Sequence, residues 1–334
     1  MRWLSRITKQ REFMIFLFLA VLFIVMGFAS PSFLSSGNLL AMLLGMSIEV
    51  IIAVAMTNQL VSGGFDLSVG SVVGFIGAVT AKLLVTGFPV PVAVLIGILI
   101  GGAIGLFNGF VVAKLGINAF VTTLASLSMF RGLTLVIAQG QNIANLPEAF
   151  RSIGQATLFG IQSPVIIAVV IIILGDIMLR RSRFFRQSYY IGGNEKAARL
   201  SGIPVDRMKV LAYFLTGLFA SIAGIVMTAR LGSASMTAGT GLELRALTAT
   251  IIGGASLQGG EGTVFGSFLG ALLMALITNA LTLLGVNIYW QTFVIGATLL
   301  GAVTVDRLGK MRTDLRPTVT MKGAARSNGQ ERKR

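Results

Sequence analysis

Residues 180–209, RRSRFFRQSYYIGGNEKAARLSGIPVDRMK, form a basic polar insert with a long apolar run on either side. Eight of its thirty residues are Lys or Arg and two are acidic. Short loops rich in Lys and Arg stay on the cytoplasmic side of a bilayer, so the insert is expected in the cytoplasm. Within it, 192–204 predicts a short helix, with Asn194 as N-cap and Glu195 in the first turn, where the helix dipole favours a negative charge. Gly202 and then Pro204 end it. A capped amphipathic helix held in the cytoplasm by a membrane protein is a handle for another protein.

The chain around the insert is strongly apolar. Of 334 residues 54% are hydrophobic and 12% charged, and the mean hydropathy is +0.86, which excludes an ordinary soluble domain. Apolar runs suited to a hydrocarbon layer roughly 30 Å thick fall at 13–29, 39–61, 67–85, 92–113, 117–138 and 165–179. After the insert they fall at 210–229, 244–257, 264–284 and 288–305. The fold expected is an all-α polytopic membrane protein with about ten transmembrane helices and with N- and C-termini cytoplasmic. A β-barrel would need alternating polar and apolar residues in about ten-residue segments, which are missing here. The first run resembles a secretory signal, but Pro31 at the would-be cleavage point and the length of the run argue for a retained span.

The formal net charge of +15 is an orientation signal rather than a nucleic-acid footprint. Four basic residues lie in 2–11, eight in the insert and nine in 307–334. With six spans before the insert and four after, all three segments fall on one side. The tail beyond Asp306 is expected to be unstructured and to rest on anionic membrane lipid. The chain has no cysteine and no histidine, so disulfides, Cys or His metal sites and histidine general bases are excluded. No phosphate-binding loop with its lysine is present, since 259–263 reads GGEGT. No catalytic and no metal residues are assigned.

Polar residues inside apolar spans mark transport paths. Glu49 sits mid-span, and Asn58 and Gln59 lead into GGFDLSVGS at 63–71, which carries Asp66 and Ser68. That segment either lines the path or is a cytoplasmic turn capped by Asp66; both readings stay open. Phe107, Asn108 and Asn279 complete a set suited to a neutral polyhydroxyl solute. Glycines spaced by four, at 97, 101, 105 and 109 and again at 262, 266 and 270, predict close helix packing. A faint repeat relates Asn108 and the following GINAFVTTLASL to Asn279 and the following GVN and FVIGATLL. Its offset of five spans implies a 5+5 inverted repeat. The outer connectors 139–162 and 230–242 are expected to face an external partner.

Four ordered motifs carry a resemblance over about 31–306: GGFDLSVGS at 63–71, YIGGNEKAARLSGI at 190–203, AGTGLELRALTATIIGG at 238–254 and GGEGTVFGSFLGA at 259–271. They resemble the permease subunits of bacterial ribose and related monosaccharide ABC importers, which include the autoinducer-2 permeases. The resemblance implies a cytoplasmic N-terminal segment at 1–12, a transmembrane permease domain at 13–305 containing the 180–209 coupling loop, and a basic cytoplasmic tail at 306–334. It implies a bacterial inner-membrane protein that works with a separate ABC ATPase, a second permease subunit (a copy or a paralogue) and an extracytoplasmic sugar-binding protein. ATP and magnesium would bind the ATPase, and this chain would bind no cofactor. Gly193, Asn194, Glu195, Ala197, Ala198, Arg199, Ser201 and Gly202 match the family's coupling element. Asn58 and Gln59 stand where relatives commonly have apolar residues, and the basic tail is longer than in many of them. An ion-coupled carrier for a neutral polar solute is the alternative; an intramembrane scaffold or enzyme is a third class.

Overall fold

The computed structural model describes residues 4–314. In order these form α1 (Leu4–Ala29), α2 (Ser36–Val61), α3 (Val69–Val85), α4 (Val90–Ala113), α5 (Ala119–Ala138) and α6 (Glu148–Gln155). The two-residue strands β1 (Thr157–Leu158) and β2 (Ile161–Gln162) pair as a small antiparallel hairpin. Then come α7 (Ser163–Arg181), α8 (Gln187–Gly193), α9 (Glu195–Leu200), α10 (Val205–Leu231), α11 (Leu242–Ile252), α12 (Val264–Leu283) and α13 (Ile288–Asp314). Helix starts are fixed by side-chain caps: Ser35, Asn118, Asn194 and Thr263 each accept a hydrogen bond from a first-turn amide.

Each of the ten apolar runs lies on a helix, and eight of those helices are long and apolar enough to cross a membrane. The remaining two are α3, with 17 residues, and α11, with 11. At 1.5 Å per residue α11 extends about 16 Å, roughly half a hydrocarbon layer. The span expected at 244–257 is therefore corrected. The helix starts at Leu242 and stops at Ile252, where Gly253 and Gly254, the latter at φ 97°, end it.

The helix expected within 192–204 is α9, with Asn194 as its N-cap and Glu195 in its first turn; the extended Asn194 (φ −162°, ψ 99°) divides it from α8, which the sequence did not show. Two further expectations change. Gly262 does not belong to the packing face of α12; it lies in the preceding turn at φ 146°. The tail read as unstructured beyond Asp306 continues α13 as helix to Asp314, and 315–334 lie outside the described residues.

Successive long helices reverse direction, so the connections sort to two ends. At one end Glu12 of α1 accepts from Thr263, Val61 of α2 accepts from Gly260, and Lys114 after α4 pairs with Asp206 of α10. The insert joins this group, which we call the insert end. At the far end Arg230 of α10 donates to the Leu44 carbonyl, Gln155 donates to the Arg230 carbonyl, and Ile143 pairs with Ala234. Both connectors read as facing one side, 139–162 and 230–242, meet there.

The core is built around α2 and α10. Every residue of α2 from Met46 to Val61 is buried, which marks a helix enclosed all round. α10 packs on α2, α3 and α4. The glycine stripe of α4 faces it, and a Cβ at Gly101 would overlap Ser221 Oγ and the Gly217 carbonyl. Likewise Gly266 and Gly270 of α12 lie against the carbonyls of Gly253 and Ala249. The close approach that the glycine spacing predicts is thus present at both sites.

Candidate functional site

Two polar regions stand out, one at each end. At the insert end, α9 is locked by ions. Arg199 reaches Glu195 Oε1 at 3.1 Å and Asp206 Oδ1 at 2.5 Å; Lys209 Nζ lies 2.6 Å from Glu195 Oε2; Lys114 Nζ lies 3.2 Å from Asp206 Oδ2. The hydrogen bond from Lys209 holds the Glu195 carboxyl below its ordinary range, opposed by partial burial and helped by Arg199. Asn194 Oδ1 accepts from the Ala197 amide at 3.0 Å. Ala198 is buried with Ile191, Val205 and Met208. So α9 is fastened to the start of α10, which Lys114 ties in turn to the end of α4.

Preceding it, α8 is fastened elsewhere. Ser188 Oγ donates to Asn58 Oδ1 at 3.1 Å, and the Tyr189 hydroxyl donates to the Gly262 carbonyl at 2.8 Å. Gly192 rests directly on backbone: a Cβ there would overlap the Val61 carbonyl and the Gly260 amide. Gly260, at φ 76°, donates to the Val61 carbonyl at 2.9 Å. Three chain segments therefore cross with no side chain between them, which only glycine permits.

Between these helices lies an open groove of about 500 Å³ lined by Tyr189, Tyr190, Gly193, Asn194, Ala197, Ala198, Ser201 and Ile203. Leu200 is 90% exposed beside it. Gly202 turns the chain at φ 80°. Hence all eight residues read as a coupling element fall on or beside one surface. Glu195 and Arg199 are engaged in intramolecular ion pairs with each other, Asp206 and Lys209.

The residues read as a path do not share one lumen within the chain. Asp66, Ser68 and Asn108 form a buried chain: Ser68 donates through N and Oγ to Asp66 Oδ1 at 2.8 and 2.6 Å, Asn108 donates to Ser68 Oγ at 3.1 Å, and Ser126 donates to Asn108 Oδ1 at 2.5 Å. The 62–68 segment climbs from Val61 to the level of Tyr213, whose hydroxyl donates to the Phe65 carbonyl at 3.1 Å. It is an unwound stretch buried at Ser62 and at Asp66, Leu67 and Ser68, with Gly63 exposed and Gly64 and Phe65 half-buried. Gln59 is 1% exposed and sits against Gly64, and Asn58 pairs with α8. Phe107 is 49% exposed on the outer face of α4. Asn279 exchanges two amide hydrogen bonds with Asn38, at 3.1 and 2.7 Å.

Glu49 belongs to the second region, toward the far end. Arg245 Nε lies 4.0 Å from Glu49 Oε2. Nearby, Arg230 donates to the Leu44 carbonyl and Arg131 to the Ala238 carbonyl, each at 2.8 Å. Glu243 Oε1 accepts from the Gly241 amide at 3.2 Å. Here the first turns of α3 and α11 meet, since Gly70 packs against Gly239 and the Glu243 carboxylate. Arg131, Arg230 and Lys114 were not singled out in the sequence. Lys114 and Arg230 are lone cations at the ends of apolar runs, a pattern that snorkelling also produces, and Arg131 lies within the run at 117–138.

A family described as the branched-chain amino acid transport system / permease component matches residues 38–303. The chain belongs to that permease family. It is 40% identical over 294 residues to the ribose import permease protein RbsC of Bacillus subtilis (strain 168), covering 87% of this chain and 91% of that one. It is 36% identical over 295 residues to the D-allose transport system permease protein AlsC of Escherichia coli (strain K12), covering 88% and 90%. Against the L-arabinose transport system permease protein AraH of the same strain it is 38% identical over 288 residues, covering 86% and 88%. No solved structure matches it. This permease is a multi-pass protein of the plasma (inner) membrane and a transport component without catalytic activity of its own.

Proposed function

We propose that this permease is the membrane subunit of an ATP-driven importer for a monosaccharide, a ribose-like pentose or a related sugar. Relatives that take ribose, allose and arabinose support a sugar over the amino acid of the family description. The observation that carries ATP coupling is the double attachment of the insert. α8 holds α2 and the α11–α12 turn, α9 holds the start of α10 and through it the end of α4, and Asn194 joins them. A partner seated in the groove at Ala197 and Ser201 would push on both halves of the bundle at once.

In this reading the chain crosses the membrane ten times, the short α11 and the turn after it together making one crossing, with both termini and the insert in the cytoplasm. Helices α1–α5 form one half, and α7 with α10–α13 forms an inverted second half. The packing supports that symmetry: α4 lies on α10 as α12 lies on α2, and the starts of α3 and α11 face each other. An ABC ATPase carries ATP and magnesium, a second permease subunit completes the path between two protomers, and an external sugar-binding protein delivers the cargo. This chain binds no cofactor and no nucleic acid.

The test is uptake of labelled ribose, allose, arabinose and leucine by cells expressing the complete transporter. A proton-dissipating uncoupler is added while ATP stays high. Sugar uptake that survives the uncoupler supports the importer. Its collapse would favour an ion-coupled carrier, and leucine as the sole cargo would replace the sugar.

A further inference from the structure

The far-end region contains a cavity of about 210 Å³ whose lining includes Gly45 and Ile48 of α2, Arg230 of α10, Gly239, and Leu242 and Arg245 of α11. At about 30 Å³ per water it holds several waters or one small solute. Gly45 and Ile48 line the cavity, and Glu49, behind the lining itself, shares the face of Gly45 on α2 by its four-residue offset and reaches toward Arg245 on the opposite wall. Glu49 is 6% exposed, and its Oε1 has no hydrogen-bond partner. Its Oε2 is 4.0 Å from Arg245 Nε, beyond hydrogen-bond range. A buried acceptor without a donor is destabilising, so the arrangement is incomplete as it stands.

We propose that this cavity is a transit subsite for the sugar, in which one hydroxyl bridges Arg245 and Glu49. It accepts from the guanidinium, donates to the carboxylate and closes the 4.0 Å gap, and a neighbouring hydroxyl supplies the donor that Glu49 Oε1 lacks. The charges select this chemistry. A free anion would face Glu49, and a cation would face Arg230 and Arg245; a neutral polyol carries donors and acceptors for both. Arg230 is already engaged with the Leu44 carbonyl, which leaves Arg245 as the donor. The subsite ends where Gly239 packs on Gly70, so passage toward the insert end requires the first turns of α3 and α11 to part. This inference rests on the sugar-import reading.

The chain has no cysteine, so Leu231→Cys, at a half-exposed position on the cavity lining, gives a single reporter. The complete transporter in vesicles is treated with a small water-soluble thiol reagent, with and without ribose, allose or arabinose, and import of the same sugars is measured in parallel. At about ten times the half-protecting concentration an imported sugar should slow labelling about tenfold. Adding Glu49→Gln, or Arg245→Gln should the first fail to insert, should abolish that protection and leave labelling without sugar unchanged; Arg245→Lys should retain part of it. An imported sugar that leaves labelling unchanged, or protection that survives both substitutions, overturns the subsite alone. Import of none of the three sugars overturns the function on which it rests, and the subsite with it.

Discussion

The Gly260 amide donates to the Val61 carbonyl at 2.9 Å, and Gly192 of the insert lies directly against both groups. Movement of α8 is therefore transmitted to α2 and to the turn before α12 by backbone contact, with no intervening rotamer to absorb it.

Gly192→Val is expected to abolish import by wedging this crossing open. The added methyls would meet main chain that has no room to rotate away, at a cost of about 1–3 kcal/mol. Co-purification of the ATPase should survive, because the groove residues Ala197 and Ser201 are untouched. Uptake and co-purification measured on one preparation check this.

The ion ladder at α9 predicts a local effect. Asp206→Asn leaves Arg199 and Lys114 without their shared carboxylate. Exposed pairs add little to global stability, so the thermal midpoint should stay within a few degrees, while amide exchange in Glu195–Leu200 should speed markedly. Hydrogen exchange by mass spectrometry resolves the two.

The pH dependence has a definite sign. The Lys209 hydrogen bond lowers the Glu195 carboxyl, so its contribution is complete above the ordinary carboxylate range and is lost as pH falls through the lowered value. Protection factors in α9 should be flat from about pH 6 to about pH 8 and fall only in acid. A decline near neutrality would contradict this assignment.

Gly101→Leu is expected to destabilise the bundle, since α4 and α10 touch there through Ser221 and the Gly217 carbonyl. The cost should be at least about 1–3 kcal/mol, seen as a lower midpoint in detergent. Gly132→Leu, in open space on α5, is the control and should be near neutral.

The long helices were legible because an apolar run of membrane length has few other uses, and the glycine stripe of α4 announced its partnered face. Among the short elements α9 was legible through its Asn194 cap, and α8 and the end of α11 were not. α8 is seven residues of mixed polarity with no periodicity to read, and only the extended Asn194 divides it from α9. α11 merged with the apolar turn that follows it, since composition alone does not show that Gly254 takes a positive φ. The polar residues of the spans were visible one by one. Which of them meet depends on crossings far apart in sequence, such as Asn38 with Asn279 or Glu49 with Arg245. That is why residues assigned to one path are spread among several clusters.

The central claim is that this chain moves its solute only when a separate ATPase acts on the α8–α9 insert. The direct measurement is solute accumulation in sealed vesicles containing the purified permease, with and without the ATPase, the binding protein and ATP. Uphill accumulation of ribose, allose or arabinose with all components, and none with the permease alone, is the predicted result. Accumulation by the permease alone under an imposed proton or sodium gradient would contradict it.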